Sequence, residues 1–403
     1  MASYIHRGVV QPNGRVDTSQ AITDHAVLTG QPVDDALRLT SLEIGNFEWW
    51  YFDFIDARHG AVVKLVAHLG TNPLRTRFSP TVAVTVWTPH GSTMVRQRFA
   101  LDDLQASRDV CDVTITDAWH VFLEPGTQVP VYHLTVNLPT FRATLRFQGQ
   151  LASWKPLGHV VPMQQGRKRA AFVWVVPMPR AAVEGVFALD GVDYEIAEAL
   201  GYHDHNVWQV DPTAKLFLDK VISHWYWGRF VGPEATVVFM DTRFQTHSLQ
   251  ACLLATGNTV VHSSNNLVEV TPEAFAQDAA LHTTYPTRLT VALSNGSSPL
   301  QMALKAQAVL DRRDLLEGLH PLLKWGIRGL LSQPSYHGIL ANATGHLGGE
   351  ELQGKALYEA MYVRRKGRGV ANTPARDGAP TRQNVQDILC ARRTTCAHPH
   401  GRS

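Results

Sequence analysis

The chain has 403 residues, 44% of them hydrophobic and 18% charged, and a formal net charge of +2. That length suits two domains of ordinary size with sizeable cores. The near-balanced charge offers no electrostatic footprint for nucleic acid, and no apolar run approaches the roughly 20 residues that span a bilayer.

Residues 1–40 read as an N-terminal arm ahead of the first regular element. Strand signals then dominate. Residues 47–55 and 61–69 are aromatic- and aliphatic-rich runs joined by the turn-forming stretch 56–60. Residues 81–88 and 93–100 flank Pro89-His90-Gly91 in the same way, and further runs follow at 112–122, 131–137, 141–148 and 172–176. Pro177-Met178-Pro179-Arg180 interrupts this pattern, which predicts two β-domains, 41–184 and 185–363. Strands of the second are expected at 223–230, 235–243, 249–256, 267–270, 288–293, 302–310, 336–344 and 352–363. Repeated hairpins without βα alternation imply an all-β protein of two tandem barrels or sandwiches.

One segment differs. Residues 310–331 carry leucines at three- and four-residue spacing, which predicts a short helix near the C-terminal end. It reads as a helix across a barrel end, a lid, or a membrane-touching face. Residues 364–403 are basic and read as a disordered tail. Cys111 and Cys252 stand alone in strand-like runs, and Cys390 and Cys396 lie in the tail. This is no disulfide framework; it fits a reducing, cytoplasmic setting without stable membrane insertion.

Three clusters carry chemistry. In Glu48-Trp49-Trp50-Tyr51-Phe52-Asp53, strand alternation places Glu48, Trp50 and Phe52 on one face and Trp49, Tyr51 and Asp53 on the other. Each face mixes aromatics with a carboxylate. The acids either sit at strand ends in water, or line an aromatic cavity where desolvation keeps them protonated. In Gly201-Tyr202-His203-Asp204-His205-Asn206-Val207-Trp208, His203 and His205 share one side of an extended segment. They could ligate a metal, but no third ligand is evident. They could also hold a domain junction, or do acid/base work with Asp204 as partner. The third cluster, His224-Trp225-Tyr226-Trp227-Gly228-Arg229, describes a cavity wall. No glycine-rich phosphate loop and no Gly-x-Ser-x-Gly occurs, which argues against nucleotide-dependent and serine-hydrolase chemistry.

Together these clusters, with the closing run Gly354–Met361, resemble the hydroxyneurosporene synthase/AttH-like family of carotenoid 1,2-hydratases, kievitone-hydratase-like proteins and lipocalin-like Diels–Alderases. The resemblance covers residues 40–363. It implies two lipocalin-like domains, a ligand cavity near their junction, and chemistry without cofactor on isoprenoid or polyketide-like molecules. Carried over by motif, the hydratase branch's site residues fall on His205, Trp208, Phe239 and Asp241. Val207 is inserted before the tryptophan, Gln209 stands for a glycine, and Phe239 stands where that branch has tyrosine. The missing hydroxyl disfavours water addition by the same relay, whereas an acid-initiated cyclisation or a pericyclic step loses less.

The expectation is thus a hydratase or cyclase/isomerase acting on a lipophilic alkene without metal or other cofactor. Asp241 and His205, supported by Asp204, serve as acid and base. Glu48, Trp50, His203, Trp208, Tyr226, Trp227 and Phe239 line the substrate. The rival readings are a pericyclase that only folds a polyene, and a carrier that binds without reaction.

Overall fold

The computed structural model describes residues 30–71, 78–156, 160–244, 248–265, 267–293, 299–315 and 334–363. The all-β expectation holds. A 3-10 turn at Pro32–Asp35 precedes β1 (Phe47–Asp56), β2 (Ala61–Gly70), β3 (Ser79–Thr88), β4 (Gly91–Arg98) and β5 (Leu104–Ala106). Then come β6 (Asp112–Ile115), β7 (Trp119–Leu123), β8 (Val131–Leu138), β9 (Phe141–Gly149), β10 (Val161–Gln165), β11 (Lys168–Leu189) and β12 (Val192–Val210). A helical turn at Leu218–Val221 leads to β13 (Ile222–Val231), β14 (Ala235–Phe244), β15 (Ser248–Thr256), β16 (Thr259–Asn265) and β17 (Val268–Asp278). The described chain closes with β18 (Thr283–Leu293), β19 (Leu300–Asp314), β20 (Ser335–Leu347) and β21 (Glu350–Tyr362).

The strands form two antiparallel sheets. The first runs β4-β3-β2-β1-β12-β11-β9-β8-β7-β6-β5 with β10 beside β11, and the second runs β16-β15-β14-β13-β21-β20-β19-β18-β17. Each curls round its own apolar filling as a lipocalin-like calyx. A third core, containing Tyr51, Trp174, Trp208, Trp225 and Trp227, lies where the outer faces of the sheets meet. Strands β1 and β13, and residues 201–208 of β12, therefore bury both faces, so the polar groups they carry must find partners inside the protein.

The division between the sheets falls at residues 211–221, not at 184/185. The Pro177–Arg180 stretch is the middle of β11, where the pairing with β12 shifts register between Val175 and Met178 and again before Ala181. A proline has no N–H for the ladder, so it sits at such irregularities without ending the strand. The β11–β12 turn follows its local chemistry: Asp190 (φ 51°) and Gly191 (φ 82°) both take the left-handed conformation of a two-residue hairpin loop. Of the expected helix, Leu310–Asp314 belongs to β19. Residues 316–333 lie outside the described residues, as do the tail and its two cysteines.

Residues 30–40 are a structural part, not a loose arm. Gly30 N–H donates to the Ser153 carbonyl (3.2 Å) and Leu37 N–H to the Ser107 carbonyl (2.9 Å). Buried Asp34 meets buried Lys155 at 2.5 Å. The segment thereby closes over the first calyx.

Candidate active site

Pairing of β1 with β12 sets His203 opposite Phe52, His205 opposite Trp50, and Val207 opposite Glu48. These residues point into the first calyx, where Asp35 from the closing segment meets them. His203 Nε2 lies 2.9 Å from Asp35 Oδ2, and its Nδ1 2.9 Å from the Tyr51 carbonyl. His205 Nε2 lies 2.8 Å from Glu48 Oε1, with Nδ1 3.3 Å from Asp35 Oδ1. The Tyr132 hydroxyl donates to Asp35 at 2.8 Å, and Glu48 also accepts the backbone N–H groups of Arg38 and Leu39. The rings stack as Phe52–His203 and Trp50–His205. Burial pushes the Asp35 carboxyl up, but the facing histidines and the Tyr132 hydroxyl hold it below the usual range.

This is a sealed network that ties the segment at 30–40 to the calyx wall. Asp35, Cys111 and His203 do approach one another within 4.8 Å. His203 Nδ1 lies against the Tyr51 carbonyl and its Nε2 against Asp35, and burial raises the Cys111 thiol well above its ordinary value.

Asp204 is not the partner of His205. Adjacent strand residues point to opposite faces, so Asp204 projects outward, into the space between the calyces. The same alternation separates Trp208 from His205: the inserted Val207 takes the inner face, and the Trp208 indole is pinned by donating to the Leu216 carbonyl (3.0 Å). Tyr226, Phe239 and Asp241 lie in a third compartment, inside the second calyx, because Tyr226 pairs with Asp241 and Gly228 with Phe239 on its inner face. The expected residues therefore divide among three places. Glu48, Trp50, His203 and His205 gather in the first calyx. Asp204, Trp208 and Trp227 face the junction, and Tyr226, Phe239 and Asp241 face the second interior.

The junction holds the richest chemistry, most of it from residues that sequence reasoning did not select. Asp204 accepts from the Tyr202 hydroxyl (2.9 Å), the Trp174 indole (3.1 Å) and the Asn206 amide (3.0 Å). Burial raises its pKa well above the ordinary carboxylate value despite the Trp174 and Tyr202 hydrogen bonds. Beside it, the Tyr51 hydroxyl donates to Asp53 Oδ2 at 2.7 Å, and Asp53 Oδ1 pairs with the Arg229 guanidinium. Tyr51 stands 5.5 Å from Trp227, and Tyr202 5.3 Å from Trp227, ring centre to ring centre.

Toward the edge, Lys64 of β2 reaches across to the second sheet. Its ammonium donates to Asp311 (3.1 Å) and the Tyr336 hydroxyl (2.8 Å), and lies 3.5 Å from Glu359. The Tyr336 hydroxyl makes a short hydrogen bond to Glu359. Burial raises the Glu359 pKa, which Lys64 and the Tyr336 hydrogen bond partly offset. Gly338 makes this approach possible, since a Cβ there would lie 2.0 Å from Asp311 Oδ1 and 2.9 Å from Lys64 Nζ. The Glu359 side chain is 17% exposed, while that of Asp53 is sealed. Half-buried Val66, two residues from Lys64 on β2, and Met361, two residues from Glu359 on β21, leave an apolar rim that half-buried Trp49 extends along the same face of β1. The signal for Glu359 was faint: a lone acid between apolar residues on the closing strand.

Comparison with solved structures decides the fold. CghA in complex with Sch210972 superposes with a TM-score of 0.55 at 13% identity, over 80% of this chain and 90% of that one. Kievitone hydratase from Nectria haematococca gives 0.55 at 12% identity, over 84% and 94%. An AttH-like protein from Nitrosomonas europaea gives 0.54 at 14% identity, over 81% and 96%. The chain shares their fold. By sequence it matches no family model and no curated protein. Among the described residues, no helix is long and apolar enough to cross a membrane.

Proposed function

We propose that this chain is an acid/base enzyme that binds a lipophilic, alkene-bearing small molecule between its two calyces and hydrates or cyclises it. The observation that carries the reading is the Lys64–Tyr336–Glu359 cluster, a carboxyl group partly open beside an apolar rim and backed by a buried cation. Two of the proteins that share the fold support it, one named as a hydratase and one carrying a bound small molecule.

Glu359, whose pKa burial raises above the ordinary carboxylate value, is the acid. Its proton passes to one alkene carbon, the π electrons form the new C–H bond, and a tertiary cation remains on the other carbon. Lys64 and the Tyr336 hydroxyl stabilise the Glu359 carboxylate so produced. The faces of Trp49, Tyr51 and Trp227 stabilise the cation by about 0.5–2 kcal/mol each. Water then adds and returns its proton to the Glu359 carboxylate, or a second alkene closes a ring and a C–H adjacent to the new cation passes its proton to the Glu359 carboxylate as its electrons form a double bond. Asp204 orients Tyr202 and Trp174 behind this wall. Holding a flexible chain in a folded shape contributes up to roughly 7–11 kcal/mol more.

The test compares metabolites from a host expressing the neighbouring biosynthetic genes with the wild type or Glu359→Gln. The variant lowers turnover by about 10²–10⁴-fold. A product heavier by one water identifies a hydratase, and an isomeric product a cyclase. Full activity in Glu359→Gln with altered stereochemistry in Trp49→Ala identifies a pericyclase instead. A ligand recovered unchanged identifies a carrier.

A further inference from the structure

His203 and His205 have no third metal donor near them in the sequence, but the fold brings two more. Asp35 arrives from the 3-10 turn at Pro32–Asp35. Cys111 stands just before β6, its carbonyl accepting the Leu123 N–H at 2.9 Å. One donor atom from each of Asp35, Cys111 and His203 lies within 4.8 Å of the other two. These side chains and His205 are sealed, none more than 1% exposed.

The outer nitrogen of each imidazole is already oriented. His203 Nδ1 faces the Tyr51 carbonyl at 2.9 Å, which can only accept, so this nitrogen carries the hydrogen. His205 Nε2 faces Glu48 Oε1 at 2.8 Å, and both Glu48 oxygens accept backbone N–H groups, from Arg38 and Leu39. A carbonyl or carboxylate behind the ring is the usual outer support of a metal-bound histidine. Both inner nitrogens then meet Asp35. His203 Nε2 lies 2.9 Å from Oδ2 and His205 Nδ1 3.3 Å from Oδ1. His205 Nδ1 and Asp35 Oδ1 have no hydrogen-bond partner among the described residues. Nitrogen and carboxylate lone pairs that converge in a dry interior are matched by a cation.

We propose that this cluster is a structural site for a zinc-type divalent cation, held by Cys111 Sγ, His203 Nε2, His205 Nδ1 and an Asp35 oxygen. A sulfur, two imidazoles and a carboxylate are donors that zinc takes, and four protein ligands without an open position mark a structural ion. Donor atoms round a tetrahedral zinc lie roughly 3.3–3.6 Å apart, so Asp35 draws back from His203 by about half an ångström. Asp35 sits on a turn, which can make that adjustment more easily than the paired strand opposite. The ion displaces the Cys111 thiol proton to solvent, its double charge outweighing the burial that otherwise raises that thiol. It fastens residues 30–40 to the wall of the first calyx.

The full-length protein is expressed in minimal medium supplemented with cobalt, so that the ion can enter as the chain folds. Metal content and absorption are then measured, with thermal unfolding to show that each variant is folded. Wild type is expected to hold cobalt with the intense visible bands of a tetrahedral ion and a thiolate-to-cobalt charge-transfer band in the near ultraviolet. Cys111→Ser loses the charge-transfer band. The triple variant Cys252→Ser, Cys390→Ser, Cys396→Ser, which leaves Cys111 as the one cysteine of the chain, keeps it. The proposal is overturned if folded wild type lacks the band, if the band survives Cys111→Ser, or if the folded triple variant loses it. The triple variant decides the point even where Cys111→Ser does not fold. None of these results bears on turnover by Glu359→Gln at the junction.

Discussion

Arg229→Met tests whether the pair it makes with Asp53 locks the two sheets together. Both side chains are fully buried, and Arg229 also donates to the Leu200 carbonyl at 3.2 Å. Its Nε and Nη1 have no hydrogen-bond partner among the described residues, so the cation is held by few contacts. Breaking a buried pair from one side costs about 3–5 kcal/mol, because the abandoned charge is left without water. The abandoned group here is Asp53, whose pKa burial already raises, with Arg229 the main opposing influence. Removing Arg229 raises it further, and the folded state then binds a proton that the unfolded state releases above the ordinary pKa of 3.8. Stability gained by that proton is present at low pH and lost as pH rises toward the folded pKa. The slope reaches about 1.4 kcal/mol per pH unit. Urea unfolding of Arg229→Met and wild type at pH 5.5 and 7.5 measures it. The loss at pH 7.5 falls in the 3–5 kcal/mol range and shrinks markedly at pH 5.5, and adding Asp53→Asn removes the pH dependence. A loss below about 1 kcal/mol at both pH values, or one that does not change with pH, would refute the reasoning.

Asp35→Ala strips His203, His205 and Tyr132 of their shared carboxylate and destabilises the first calyx by about 3–5 kcal/mol; an unchanged urea midpoint would show that residues 30–40 are not seated as described. Gly338→Ala forces Asp311 and Lys64 apart and costs about 1–3 kcal/mol by thermal unfolding, with turnover lost in parallel if the Lys64 cluster carries the reaction. The protein loses stability as pH falls from 6.5 toward 4. Burial, with help from Arg96 and Arg313, depresses His68 to about 4, and burial with Arg243 does the same for His224. Both stay neutral in the folded state over a window in which the unfolded chain takes up protons. The loss is at most about 3 kcal/mol per histidine, less where water reaches the ring. His68→Gln flattens this acid limb when midpoints are compared between pH 4.5 and 7.

Much of the architecture is legible in the sequence because strand alternation and turn chemistry are local. The split of Glu48, Trp50 and Phe52 from Trp49, Tyr51 and Asp53, and the common side of His203 and His205, follow from the two-residue period alone. The hairpin at Asp190-Gly191 follows from residues that tolerate positive φ. Period also held the clue that Asp204 and His205 do not cooperate, although their adjacency invited the opposite reading. Only the tertiary structure decided what each face meets. Asp35 reaches His203 across 168 positions and Lys64 reaches Glu359 across 295, separations at which no local pattern carries information. Pro177–Arg180 looked like a boundary because a proline in isolation breaks a ladder, and only the partner strand shows that the ladder shifts and continues. Strand period says that a side chain points one way or the other; it cannot say whether that side is a calyx interior, a neighbouring sheet or water.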